Sequence, residues 1–173
     1  MTSSLLIRNI RPMGGTSADI LVEDGRIARI EPGIAAPADR VEEGGGRIAI
    51  PGLVEAHTHL DKSLMGMAWY RNEVGPRLLD KIENERDAKT RLGIEPARQS
   101  RRQALASVAQ GTTHIRSHVD IDTVHGLSGL EGIMRTREEL SNCVDIEIVA
   151  FPQSGMMIRP GTVELMQKAL ELG

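Results

Sequence analysis

The feature that most constrains the fold is an alternation of strand and helix signals that begins after Pro51-Gly52. Short apolar runs predict strands at residues 53–59, 112–120 and 145–151. A long charged stretch predicts a helix at residues 76–91, and apolar residues near one face predict a second helix at residues 95–110. Two further helices are predicted at residues 127–140 and 162–172. Strands that alternate with helices pair in parallel through right-handed crossovers, so we expect a parallel α/β sheet over residues 52–173.

The first 51 residues have a different pattern, which is typical of a small β-module. Asp24-Gly25 separates two alternating apolar segments, an arrangement that favours a tight hairpin turn. Pro32-Gly33 ends this hairpin, and Gly44-Gly45-Gly46 forms a loose connection to the next apolar run. We therefore predict two domains, residues 1–51 and residues 52–173.

Composition excludes several classes of protein. The 21 basic and 24 acidic residues nearly balance, at a net charge of −3, so the chain has no general attraction to nucleic acid or to anionic membranes. Its single cysteine excludes an intrachain disulfide and a cysteine-based zinc site. No apolar run approaches the ~20 residues that span a bilayer. The N-terminus lacks the features of a signal peptide, so we expect a cytoplasmic protein.

His57-Thr58-His59 is the sharpest chemical signal in the sequence. Residues i and i+2 of a strand point to the same face, so both imidazoles can reach one metal ion. Neutral imidazole is a good ligand for zinc or iron, and the pair follows the first predicted parallel strand, at the edge where active sites gather. The alternative is a pair of histidines that are merely packed or exposed at a strand end.

Arg116-Ser117-His118-Val119-Asp120 closes the second predicted strand. His118 and Asp120 share a face, where they can orient a ligand or move a proton. The structural alternative is a buried hydrogen bond between these two side chains. His114 lies on the same face but deeper in the strand, and we expect it to be buried.

Two further residues lie beyond the predicted strand ends. Gln153 follows the third strand in a Pro-Gln-Ser-Gly turn, and its amide can both donate to and accept from a ring –CO–NH– group. By itself it is an ordinary loop residue. Lys62 follows the histidine pair and can hold a substrate anion, but beside Asp61 it has the pattern of a weak surface ion pair.

Together, the motifs at residues 50–62, 116–120 and 150–155 resemble the amidohydrolase superfamily, and within it the cytosine deaminases and triazine side-chain aminohydrolases. The resemblance implies the first three βα units of a TIM-type (β/α)8 metal-dependent hydrolase barrel, preceded by part of a small N-terminal β-sandwich. It implies that His57 and His59 bind one divalent metal ion, zinc or iron. It further implies substrate binding by Gln153 and Lys62 and catalytic roles for His118 and Asp120.

The activity implied by this resemblance is hydrolytic deamination of cytosine or a related amino-N-heterocycle by a homo-oligomer. Hydrolysis of an N-alkylamino-triazine or of a cyclic amide remains an alternative. In the family, a further metal-binding histidine, a metal-binding aspartate and the proton-shuttling groups lie on later strands that these residues do not include. A third alternative is therefore a catalytically silent fragment, or an assembly partner whose open sheet edge pairs with another chain.

Overall fold

The structure is a computed structural model that describes residues 3–172, and the chain divides into two compact units after Pro51. The strands of the first unit are β1 (Ser4–Pro12), β2 (Ala18–Glu23), β3 (Arg26–Glu31), β4 (Arg40–Glu43) and β5 (Ile48–Ala49). β1 pairs antiparallel with β2 and parallel with β4 and β5, and β2 pairs antiparallel with β3. The hairpin predicted at Asp24-Gly25 joins β2 to β3, and both turn residues have the positive φ angles, 50° and 74°, that such a turn requires.

A small apolar core stabilises the first unit. Leu6, Leu21 and Ile34 are each less than 5% exposed and pack together. Every residue of β3 is exposed, including Ile27 and Ile30. Within residues 3–51 the strands form one sheet, so the second layer of the expected β-sandwich is not among them.

The second unit alternates strands and helices, as the sequence predicts. Its elements are β6 (Leu53–Thr58), a 3-10 turn (Leu60–Lys62), α1 (Leu78–Arg91), α2 (Pro96–Ala109), β7 (Thr112–Asp120), α3 (Ser128–Glu139), β8 (Asp145–Phe151) and α4 (Thr162–Glu171). The sheet has the order β6-β7-β8 and is parallel. Across residues 3–172, the helices are too short or too polar to cross a membrane.

One face of this parallel sheet is buried beneath helices. Ile115, Ser117 and Val119 alternate along β7 and are at most 2% exposed. Gly132 lets α3 approach α2 closely, because a Cβ atom there would lie 2.7 Å from the backbone nitrogen of Ala97. The core of the second unit therefore lies between β7 and the helices.

The opposite face carries the charged side chains of β7 and β8. Arg116 forms an ion pair with Glu147, at 2.7 Å, and the side chain of His114 is 61% exposed. The expected burial of His114 is therefore wrong. The period-two pattern assigns it the correct face, but residues 3–172 leave that face of the sheet uncovered around it.

Candidate functional site

The predicted site residues meet at the carboxyl edge of the parallel sheet. Asp120 at the end of β7 pairs in register with Phe151 at the end of β8, and Ser117 pairs with Thr58 of β6. Parallel strands end at one edge, so residues near or just beyond these ends become neighbours. The residues in question are His57, His59, Lys62, His118, Asp120 and Gln153.

Three imidazoles form a cluster at this edge. The rings of His57 and His118 stack, with centroids 4.1 Å apart, and the ring of His59 lies 5.8 Å from each. Burial and the nearby ammonium of Lys62 lower the pKa of His59 to about 4. Burial and His57 lower the pKa of His118. His59 is therefore neutral at pH 7, which is the form of imidazole that binds metals.

These histidines fit a metal ion that takes only part of its ligand set from this chain. Among residues 3–172, the buried Nδ1 atoms of His59 and His118 and the buried Oδ1 atom of Asp120 have no hydrogen-bond partner. Within residues 3–172, however, no group of three or more His, Cys, Asp or Glu side chains has the geometry to hold a metal ion. His57 and His59 can therefore supply two ligands, but the described residues do not complete the site.

Lys62 lies at the centre of the site. Leu60 donates its backbone N–H to the Ser117 hydroxyl, at 3.0 Å, and this bond secures the 3-10 turn that carries Lys62. The ammonium group donates to Glu85 at 2.5 Å, to Asp120 at 2.9 Å and to Gln153 at 3.1 Å. These three bonds use all the donors of the ammonium group.

The environment keeps Lys62 charged. Burial disfavours the ammonium, but the carboxylates of Asp120 and Glu85 outweigh burial and raise the pKa of Lys62. Its side chain is only 11% exposed. The pattern of a surface ion pair with Asp61 is therefore misleading: the partners of Lys62 come from distant parts of the chain, and Asp61 is itself 3% exposed.

Asp120 is held by two lysines. Its Oδ2 atom accepts hydrogen bonds from Lys62 and, at 2.8 Å, from Lys89 of α1. Burial disfavours the carboxylate, but the two ammonium groups hold the pKa of Asp120 below its usual value. Its Oδ1 atom lies 3.6 Å from Nδ1 of His59 and accepts no hydrogen bond from the part of the chain that the structure describes. The predicted alternative of a hydrogen bond between His118 and Asp120 is therefore wrong.

A second carboxyl group lies behind this pair. Asp61 is 3.7 Å from Lys89, and burial raises the pKa of Asp61 to about 6. Gly129 of α3 makes room for it, because a Cβ atom there would lie 3.0 Å from the Asp61 carboxylate. Lys89 therefore faces two acidic side chains.

Helix α1 supplies the site residues that sequence reasoning missed. Glu85 and Lys89, one helical turn apart, contact Lys62 and Asp120 respectively. A charged helix face normally lies in water, so the charged stretch at residues 76–91 gave no sign that one face turns inward. The four-residue spacing of Glu85 and Lys89 indicates an inward-facing pair only when the buried partner of each residue is already known.

The turn that carries Gln153 is attached to α1. Gln153 accepts from Lys62 and donates its Nε2 to Glu85, at 3.3 Å. Arg86 donates to the Ser154 hydroxyl at 2.5 Å, and its own carbonyl oxygen lies 3.0 Å from Nε2 of His125. The Gln153 side chain is therefore fixed by its neighbours rather than free in a loop.

A cavity of about 440 Å³ opens beside His59 and Lys62. Glu85 and Lys89 line it on the polar side. Its apolar lining consists of Leu64, Ala88, Leu92 and Ile94. This volume is in the range of small-molecule sites.

Known proteins resemble this chain over nearly its whole length. It is 32% identical to the N-isopropylammelide isopropyl amidohydrolase of Pseudomonas sp. (strain ADP), over 98% of this chain and 43% of that protein. The crystal structure of N-isopropylammelide isopropylaminohydrolase from Burkholderia multivorans superposes with a TM-score of 0.91 at 51% identity, over 99% of this chain and 43% of that one.

A third protein shares the same fold. The 5-methylcytosine deaminase from Klebsiella pneumoniae, liganded with 5-fluorocytosine, superposes with a TM-score of 0.74 at 32% identity, over 97% of this chain and 41% of that one. No family model matches the chain. The chain spans about two-fifths of the length of these relatives. With the motifs at residues 50–62, 116–120 and 150–155, these matches confirm that the chain belongs to the amidohydrolase superfamily.

Proposed function

We propose that the complete protein is a metal-dependent hydrolase that releases an amine from an aminated N-heterocycle. One observation carries the proposal: the two candidate metal ligands, His57 and His59, lie at the same sheet edge as the Gln153 amide, which Lys62 and Glu85 hold in place. A metal site beside an amide that both donates and accepts suits a polar ring with a C–N bond to be cleaved.

His57 and His59 would hold one divalent ion, zinc or iron. Such an ion, when bound, lowers the pKa of a water molecule to about 7 and so supplies a nucleophile at neutral pH. His118, with its unpartnered Nδ1, is placed to accept or return a proton. Asp120 stays ionised between Lys62 and Lys89, so its part in the reaction is to hold Lys62 in place rather than to carry a proton.

Gln153 would bind the ring amide of the substrate. With one donor and one acceptor already used by Glu85 and Lys62, its amide retains one N–H and one oxygen lone pair for a ligand. Lys62 then acts on the substrate mainly through Gln153, because the three hydrogen bonds of its ammonium group are already made.

Two substrate classes compete. The isopropylaminohydrolase relatives favour release of an alkylamine from an N-alkylamino-triazine, and the apolar lining of the cavity suits an alkyl group. The 5-methylcytosine deaminase relative favours release of ammonia from cytosine or a similar ring. Identity of 51% against 32% leads us to propose the alkylamino-triazine first.

The metal proposal is tested in the complete protein by elemental analysis of His57→Ala and His59→Ala. Both variants should lose the ion and the amine release together, because each removes one of the two ligands that this chain offers. His114→Ala is the matched control, since His114 lies on the same face but toward the start of β7, and it should keep the metal. Undiminished stoichiometric metal in both ligand variants would refute the assignment.

A further inference from the structure

The two ends of the Gln153 amide face opposite charges. Its oxygen accepts from the Lys62 ammonium at 3.1 Å, and its nitrogen donates to the Glu85 carboxylate at 3.3 Å. A reversed amide would place its NH2 group against an ammonium and its oxygen against a carboxylate. Both contacts would then be repulsive, so the Lys62–Glu85 pair selects one of the two orientations.

Hydrogen bonds from Lys62 and Gln153 hold the Glu85 carboxylate in place. A single oxygen, Oε1, accepts from both Lys62 and Gln153. One turn further along α1, Lys89 binds Asp120, which also binds Lys62. The helix therefore fixes the lysine from two sides, and Glu85 borders the cavity that opens beside His59.

We propose that Glu85 is a positioning residue that sets the direction in which Gln153 reads a ring amide. This inference rests on the proposed function and deepens it. With the oxygen turned to Lys62 and the nitrogen to Glu85, the free lone pair and the free N–H have fixed places. The site then selects heterocycles that present a –CO–NH– edge in one order, and it disfavours rings that lack the edge.

The measurement is kcat/KM in the complete protein for two pairs of substrates. One pair is N-isopropylammelide and the isopropylamino-triazine without ring carbonyls; the other is cytosine and 4-aminopyrimidine. The ratio within a pair, divided by the same ratio for wild type, cancels the intrinsic reactivity of each ring. A site built around a ring amide should favour the ring that carries the amide by about ten- to a hundredfold in kcat/KM. A ring without the amide leaves the polar groups of the site unpaired.

Glu85→Leu should lower this selectivity about tenfold, because a Gln153 amide that can rotate no longer favours one arrangement of the ring –CO– and –NH– groups. Glu85→Gln keeps an acceptor oxygen at the same distance and should restore selectivity to within about threefold of wild type. Glu85→Asp keeps the charge but withdraws the oxygen, so it should resemble Glu85→Leu. This variant preserves the polarity of the helix and tests the proposal if Glu85→Leu folds poorly. Glu83→Leu is the matched control on the exposed side of α1 and should leave selectivity unchanged.

A double-mutant cycle separates positioning from general damage. Glu85→Leu should have no effect on selectivity in a Gln153→Ala background, because there is then no amide to orient. The proposal is overturned if Glu85→Leu lowers both members of a pair equally, if Glu83→Leu gives the same loss, or if the effect persists without Gln153. Selectivity that depends on Gln153 but not on Glu85 would overturn this inference alone. A wild-type protein that releases no amine from any of the four compounds would overturn the proposed function and this inference with it.

Discussion

Replacing Lys62 with methionine tests whether the buried charge network stabilises the second unit. Methionine preserves most of the aliphatic stem and removes the ammonium group. Its loss leaves Asp120, only 4% exposed, with Lys89 as its remaining ammonium partner, and leaves the oxygen of Gln153 without its donor. The Asp120 carboxylate therefore loses one of its two ammonium partners but stays paired with Lys89.

The size of the effect follows from the three bonds. A hydrogen bond to a buried charged group, such as the one to Asp120, contributes about 1.5–3 kcal/mol to stability. A hydrogen bond to a neutral acceptor, such as the one to Gln153, contributes about 0.5–1.5 kcal/mol. The bond to Glu85, whose side chain is 40% exposed, adds at most about 1 kcal/mol. Because Lys89 compensates part of the loss at Asp120, we expect Lys62→Met to lower the free energy of unfolding by about 3 kcal/mol.

Urea unfolding followed by circular dichroism measures this change. With a slope of about 2 kcal/mol per molar, the midpoint of the second unit should fall by about 1.5 M. Lys81→Met is the control, because Lys81 lies exposed on the same helix, and its effect should stay within about 0.5 kcal/mol. A loss below about 1 kcal/mol for Lys62→Met, or an equal loss for Lys81→Met, would refute the view that Lys62 is a structural centre.

Three further predictions concern other parts of the chain. Gln153→Ala in the complete protein should lower kcat/KM about ten- to a hundredfold and leave the metal content unchanged, as shown by steady-state kinetics and elemental analysis; wild-type turnover of every substrate would reduce Gln153 to a turn residue. Gly132→Ala should lower the free energy of unfolding by about 1–3 kcal/mol, because the added methyl would lie 2.7 Å from the backbone nitrogen of Ala97, and a thermal melt equal to wild type would contradict this. The Asn9 backbone N–H holds the pKa of Asp19 below its usual value of 3.8, so Asp19 contributes stability above that pH and loses it as the pH falls through the folded-state pKa. Urea unfolding at pH 3 and pH 5 should therefore depend less on pH in Asp19→Asn than in wild type, and an unchanged dependence would count against the role of Asp19.

The alternation of strands and helices was readable from the sequence because it depends on neighbouring residues. The predicted boundaries of the second unit agree with the structure to within two residues. His57 and His59 could likewise be assigned to one face, since the period of a strand is local. The same rule gave His114 the correct face but the wrong exposure, because exposure depends on what covers that face.

The tertiary structure decided the partners of the charged residues. Lys89 is 31 residues from Asp120, and Gln153 is 68 residues from Glu85, so no local pattern relates either pair. Asp61 and Lys62 are adjacent in sequence, and the sequence therefore indicates an ion pair between them. Folding instead directs the Lys62 ammonium to Glu85, Asp120 and Gln153, because the strength of an electrostatic contact depends on distance in space and on burial, and folding fixes both.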